Sequence, residues 1–190
     1  MSEPPLDELV AAVAVDIPDF PEPGVVFRDL TPVFADAGVF RRVVEALAGS
    51  VLEDPRVGAL RTGPDDPGFD VVVGVEARGF LLAAAVALVA GTGVVPVRKA
   101  GKLPRATVAA EYALEYGTAV LELHTDSVRP GQRVLLVDDV LATGGTLEAA
   151  AGLVERLGGV VSALSVVVEL PALGGRERLR PHTVHALWTT

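Results

Sequence analysis

Apolar residues fall along this chain in short unbroken runs that alternate with helical stripes. The run Val71-Val72-Val73 predicts a buried strand, the residues EARG after it a turn, Phe80 to Ala90 a helix, and Val94 to Val97 the next strand. Arg133 to Val137 predicts a central strand. Leu147, Ala150, Ala151, Val154 and Leu157 then recur at helical spacing until Gly158-Gly159 stops them. Val160 to Val168 predicts a further strand. Repeated strand-then-helix units predict an α/β fold, with a mainly parallel central sheet flanked by helices.

The first third reads differently. Leu6 to Val15 predicts a short helix with Asp7 and Glu8 near its positive end. The stretch DFPEPGVVFRDLTPVF, residues 19–34, carries Pro21, Pro23 and Pro32 and excludes long regular structure. Asp36 is placed as an N-cap for a helix whose apolar stripe is Phe40, Val43, Val44, Leu47 and Val51. Residues 53–68 are polar and rich in proline and glycine, as a surface loop is. Residues 98–117 have weak periodicity and several charges and predict a long loop, and long loops in compact domains are often functional. Thr118 to Leu123 alternates as an exposed or edge strand does. No repeat or linker divides the chain, so residues 1–190 predict one domain, which that length suffices to give a proper core.

Composition narrows the function classes. Half of the residues are hydrophobic (50%) and 22% are charged, which excludes a disordered or fibrous chain. The net charge of -9 argues against a general nucleic-acid binder, though not against a small anionic ligand held at a local positive site. The absence of cysteine removes disulfides and thiolate chemistry. His124, His182 and His185 lack metal-ligand spacing. The N-terminal residues lack the pattern of a secretory signal. Gly79 to Val97 is uncharged, but Gly91-Thr92-Gly93 and Pro96 interrupt it, so a buried helix and not a membrane span is expected, in a cytoplasmic protein.

The chemistry concentrates in VLLVDDVLATGGTLEAA, residues 134–150. A buried strand delivers Asp138 and Asp139 to its carboxyl end, where ligands bind in open α/β sheets. Ala142-Thr143-Gly144-Gly145-Thr146 then opens a helix. Its glycines admit an anion to the backbone N–H groups, its threonines add hydroxyl donors, and the helix N-terminus adds partial positive charge. Adjacent carboxylates accept hydrogen bonds from a vicinal diol or help to hold a divalent ion. A ligand with a phosphate and a sugar diol would use both halves. The Gly-Lys-Ser/Thr ending of the nucleoside-triphosphate P-loop is missing, as is a G-x-G-x-x-G after a strand.

VLLVDDVLATGGT resembles the phosphoribosyl-pyrophosphate motif of type I phosphoribosyltransferases. DFPEPGVVFRDLTPVF, VGVEARGF with RKAGKLP, and LEYGT resemble the adenine-specific branch of that family. The matching segments run from about Asp19 to Arg178. The resemblance implies a fold with a small N-terminal hood (about 1–35), a core (about 36–170) and a flexible catalytic loop (about 98–117). It implies transfer of a 5-phosphoribosyl group from 5-phospho-α-D-ribose 1-diphosphate (PRPP) to adenine, giving AMP and diphosphate with Mg²⁺. The ion would be held mainly by the substrate.

By the same resemblance Ala142, Thr143, Gly144, Gly145 and Thr146 hold the 5′-phosphate, and Asp138 and Asp139 the ribose hydroxyls. Glu76, Ala77, Arg78 and Gly79 form a diphosphate loop with a cis peptide between Glu76 and Ala77. Arg98, Lys99 and Lys102 supply positive charge, part of it to a neighbouring subunit, which implies a homodimer. Val26 and Arg28 hold adenine through main-chain groups, Phe27 stacks on it and Leu170 covers its other face. The loop ending in Glu115-Tyr116 closes over the site, with Glu115 the candidate for proton handling. Glu111, where a smaller or hydroxyl residue is expected, and the longer, acidic 53–68 segment depart from the pattern. A ligand-sensing regulator on this fold, or an enzyme for another base, are the competing readings. The chain has no room for a DNA-binding domain, and the PGVVFRDLTP segment argues against another base.

Overall fold

The computed structural model describes residues 4–20, 22–53, 55–58, 61–63, 65–113 and 118–190. Helix α1 (Leu6–Val13) leads into a hairpin of β1 (Val15–Pro18) and β2 (Val26–Asp29). A short α2 (Thr31–Ala35) follows, then α3 (Ala37–Ser50), a 3₁₀ turn and α4 (Pro55–Gly58). Asp36 caps α3 as expected: its carboxylate accepts the backbone N–H groups of Gly38 and Val39 at 2.9 and 3.0 Å. Val39, Val43, Val44 and Leu47 form the buried face of that helix. The described part of the 53–68 segment is tied down rather than loose. Arg133 ion-pairs with Asp66 at 2.8 Å and with Asp70 at 2.6 Å, which clamps it to the start of a central strand.

The strand-and-helix core comprises β3 (Val71–Val75), α5 (Arg78–Ala90), β4 (Gly93–Lys99), β5 (Thr107–Ala113) and β6 (Thr118–His124). After these come β7 (Arg133–Leu141), α6 (Gly145–Arg156), β8 (Val160–Glu169), α7 (Gly175–Arg178) and β9 (Val184–Thr189). The 7-stranded sheet has the order β5-β6-β4-β3-β7-β8-β9. The neighbours from β4 to β9 pair in parallel, and β6 pairs antiparallel with both β4 and β5. β3 is buried along its whole length, as its unbroken valine run requires of a strand covered on both faces. One face packs Leu82, Ala83, Val86 and Ala87 of α5 with α3 against Val72, Leu135 and Val137. The other packs Leu147, Ala150, Leu153 and Val154 of α6 against Val73, Leu136 and Leu164.

Three expectations need correction. Residues 98–117 are not one long loop: β4 continues to Lys99 and Thr107–Ala113 forms the edge strand β5. Its alanines (TVAAEYA) carry little strand propensity, and pairing with β6 supplies what the local sequence lacks. β6 is consequently not an edge strand but lies between β5 and β4. β7 extends to Leu141, beyond the apolar run, so Asp138 and Asp139 lie within a strand still paired to β8.

The neighbours β4, β3 and β7 are parallel, so their carboxyl ends lie side by side. From β3 the chain crosses by α5 to β4, and from β7 it crosses by α6, on the opposite face, to β8. The crevice between β3 and β7 is therefore a topological switch point, the place where such sheets bind ligands. Asp36→Ala, which removes the cap of α3, is expected to cost about 1 kcal/mol of stability. Urea unfolding with the midpoint and slope both recorded checks this.

Candidate functional site

The residues that meet at the switch point come mostly from the carboxyl ends of β3, β4 and β7 and the turns that follow them, with Tyr112 added from β5. A cleft of about 350 Å³ is lined by Glu76, Ala77, Arg78, Lys99, Tyr112, Asp138, Asp139, Val140 and Thr146. A smaller cavity of about 70 Å³ adjoins it and shares Asp138, Val140 and Thr146. Leu141, Ala142, Thr143, Gly144 and Leu147 complete its wall. A larger groove lies between α3 and β9, but the arginine on its wall, Arg176, is already forked on Glu169.

Asp138 and Asp139 sit at the floor of the cleft. Asp138 Oδ1 accepts the backbone N–H of Asp139 at 2.9 Å, and Asp139 Oδ2 meets Arg78 Nε at 2.5 Å. Burial, reinforced by the neighbouring Asp139 carboxylate, pushes the Asp138 carboxyl well above its ordinary value. Burial also raises Asp139, opposed by the charge of Arg78. Asp139 is thus buried at 5% exposure, while Asp138 keeps part of its surface open to the cleft.

The adjoining loop has the geometry of an anion cradle. Gly144 stands at the N-cap of α6 with φ 80°, a left-handed conformation that glycine adopts without strain. The first N–H groups of α6 lack partners within the helix, and no side chain caps them. Thr143 and Thr146 flank them.

Across the cleft, the peptide between Glu76 and Ala77 is cis. The Glu76 carboxylate faces β4, where Oε2 accepts the Lys99 N–H at 2.9 Å and Arg98 Nε at 3.3 Å. The Lys99 N–H first, and Arg98 with it, hold Glu76 below the usual carboxylate range. Gly79 packs directly against the acid pair: a Cβ there would lie 2.9 Å from Asp138 Oδ1. Arg78 links the halves, since its guanidinium also lies 5.1 Å from the centre of the Phe27 ring.

The structure brings most of the expected residues to one place. Asp138, Asp139, Glu76, Ala77, Arg78, Lys99 and the Ala142–Thr146 loop line or border the cleft. Leu170 lies beside the cradle through its N–H to Leu141 O at 2.9 Å. Phe27 approaches through Arg78, while Val26 on the same strand is 59% exposed. The Arg28 side chain turns away, forking onto Asp16 at 2.7 and 2.8 Å and lying 4.5 Å from the Trp188 ring centre. Arg98 is occupied by Glu76 and by the Lys102 carbonyl, and Lys102 is exposed outside the cleft lining. Glu115 and Tyr116 lie outside the described residues. Tyr112 was not anticipated; its signal is the inward phase of β5, where Glu111 is exposed and Tyr112 buried. Among the described residues no three His, Cys, Asp or Glu side chains gather as a metal site. Among the described carboxylates that line the cleft, Glu76 is engaged by the Lys99 N–H and Arg98, which leaves the Asp138–Asp139 pair. That sparse donor set fits a Mg²⁺ ion carried mainly on substrate oxygens.

Comparison with known proteins gives the family. The phosphoribosyl transferase domain family matches residues 43–179, and the chain belongs to that family. The adenine phosphoribosyltransferase of Salinispora tropica is 57% identical over 182 residues, 96% of this chain and 90% of that protein. That of Clavibacter michiganensis is 53% identical over 189 residues, 100% of this chain and 99% of that one. The crystal structure of the Thermoanaerobacter pseudethanolicus enzyme superposes with a TM-score of 0.86 at 45% identity, covering 96% of this chain and 99% of that one. The Saccharomyces cerevisiae enzyme, solved with an imino-altritol bisphosphate and adenine, gives 0.86 at 36% identity and covers 96% and 98%. Within the phosphoribosyltransferases, the chain falls among the adenine phosphoribosyltransferases.

A carboxyl group whose folded-state pKa lies above its unfolded value makes the fold less stable as pH rises between the two values. Asp138→Asn keeps an acceptor for the Asp139 N–H and removes that cost. The variant is expected to melt higher than the parent at pH 7, the difference vanishing as pH falls below the ordinary value of 3.8. Melting curves across that range check the sign.

Proposed function

We propose that the chain transfers the 5-phosphoribosyl group of PRPP to adenine, forming AMP and diphosphate. The observation that carries this reading is the succession of acid pair and anion cradle on one strand-turn-helix, facing the Glu76–Gly79 loop across one cleft. The backbone N–H groups of Ala142–Thr146 and the hydroxyls of Thr143 and Thr146 take the 5′-phosphate. Asp138 and Asp139 accept hydrogen bonds from the 2′- and 3′-hydroxyls. As the C1–O bond lengthens the ribose ring becomes cationic, and fixed carboxylates in an enclosed site stabilise that charge as it develops.

Arg78 leaves Asp139 for the departing diphosphate, with Glu76, Ala77 and Gly79 shaping the loop and Arg98, Lys99 and Lys102 adding positive charge. Mg²⁺, when bound, neutralises charge on the diphosphate. Main-chain groups of Val26 and Arg28 pair with adenine, whose N1 accepts and whose N6 donates. Phe27 stacks on the ring and Leu170 covers its other face. Guanine presents the opposite polarity and would leave buried groups unpaired. By the same reading Glu115, with Tyr116 next to it in sequence, handles the proton at the base.

A homodimer is part of the same reading. α5 turns Leu81, Leu88 and Val89 outward at 55%, 82% and 57% exposure, and Val94 at 48% lies on the next strand. Exposed apolar side chains of this kind suit a self-complementary contact.

Incubation with PRPP, Mg²⁺ and each of adenine, guanine, hypoxanthine, xanthine and orotate is expected to give product with adenine alone. No AMP from adenine refutes the assignment. The double variant Asp138→Asn with Asp139→Asn is expected to lose roughly 10²-fold or more in kcat while its circular dichroism is kept. Leu88→Glu is expected to sediment as a monomer where the parent sediments as a dimer; an unchanged sedimentation coefficient removes α5 from the interface.

A further inference from the structure

The segment ELPALGGRERLR, residues 169–180, begins at the last residue of β8, and of it only Leu170 has a part in the chemistry described above. Its central glycine meets the cradle backbone to backbone. A Cβ at Gly175 would stand 2.2 Å from the Ala142 carbonyl oxygen and 2.9 Å from Gly144 N. Reciprocally, a Cβ at Gly144 would stand 2.7 Å from the Gly175 carbonyl oxygen. Gly175 is buried yet does not line the cavity of about 70 Å³ that the cradle encloses, so it lies behind the loop.

The segment is itself held firmly on both sides of this contact. Arg176 forks onto the buried Glu169 carboxylate at 2.8 and 2.5 Å and donates to the Val184 carbonyl at 2.8 Å. Arg178 reaches Glu148 in the first turn of α6 at 2.5 Å. Leu170 is fastened to Leu141 at the head of the segment.

We infer that Gly175 is a positioning residue for the 5′-phosphate: its bare backbone is the surface on which the Ala142–Thr146 loop rests. The inference depends on the reading of that loop as the phosphate cradle. An added methyl group cannot move into the fixed segment behind it, so it displaces the Ala142 carbonyl and the Gly144 N–H toward the cavity. Donors aimed at a tetrahedral anion tolerate little displacement, and a shift near 1 Å costs up to about 10²-fold.

Gly175→Ala is therefore expected to raise the KM for PRPP about tenfold or more, with the KM for adenine at saturating PRPP changed less than twofold. A purely structural role would lower the melting temperature and the amount of active enzyme, leaving both KM values alone; that result overturns the proposal. Thr143→Val with Thr146→Val separates the two readings. A donor KM raised there but not in Gly175→Ala defeats the bracing role alone. A donor KM unchanged in the threonine variant defeats the cradle reading, and the proposal with it.

Hydrogen exchange on the parent protein keeps the test independent of whether Gly175→Ala folds. Ribose 5-phosphate is expected to slow amide exchange in residues 171–178 as well as in 142–146. Protection confined to 142–146 overturns the brace.

Discussion

At Gly79 the first turn of α5 and the carboxyl-terminal half of β7 touch with nothing between them. A Cβ at that position would lie 2.9 Å from Asp138 Oδ1 and 2.9 Å from the Val137 carbonyl oxygen. β3 and β7 are adjacent parallel strands, so any side chain there would wedge their carboxyl ends apart. The same contact sets Arg78, one residue earlier, within reach of Asp139. Much of the site's geometry descends from this approach: the depth of the acid pair, the reach of the arginine and the width of the cleft.

That approach has an energetic consequence. The acid pair is placed where carboxylates ionise reluctantly, because burial raises Asp138 and Asp139. Arg78 offsets part of this for Asp139 by direct contact, and Asp138 receives one backbone N–H. An enclosed carboxylate is costly to the fold and useful to a reaction that develops positive charge, for the same reason: few water dipoles compete for its field. Elsewhere the chain is conventional. β3 is sealed between α5 and α6, and this apolar core carries the cost of the site.

The sheet and its helices were legible where the pattern was strong. The valine run of β3, the stripe of α6 and the cap at Asp36 each encode their element locally, and the stretch around Asp138 disclosed strand, acid pair and glycine-led helix start together. β5 was hidden because its alanines have no strand preference of their own and are ordered by pairing with β6. Tyr112 was hidden with it, since its inward phase exists only once that pairing is made. The role of Gly175 was invisible for a different reason. Its contact with Gly144 spans 31 residues (175 − 144 = 31), and a close approach of two backbones leaves no periodic trace in sequence. Arg28 illustrates a third limit. The motif marks the position, but not that its guanidinium faces Asp16 and Trp188.

That last arrangement bears on how the proposed base site is held. A two-stranded hairpin is marginal on its own, so β1 and β2 need anchors outside themselves. The Arg28 fork joins the hairpin strands at one register position, Asp16 opposite Arg28, and the stacking on Trp188 fastens them to β9. Phe27 packs edge-on against Phe20 at 5.2 Å and lies beneath Arg78 on its other contact. Arg78 thus touches the acid pair with one edge of its guanidinium and the hairpin with its face. Recognition of a base by main-chain groups requires the backbone of β2 to be as fixed as a side chain in a core. The hairpin is fastened through Arg28 to the edge strand β9 and through the neighbouring Phe27 to the Arg78 guanidinium. The two proposed substrate sites share a residue, so the position of one is not independent of the occupancy of the other.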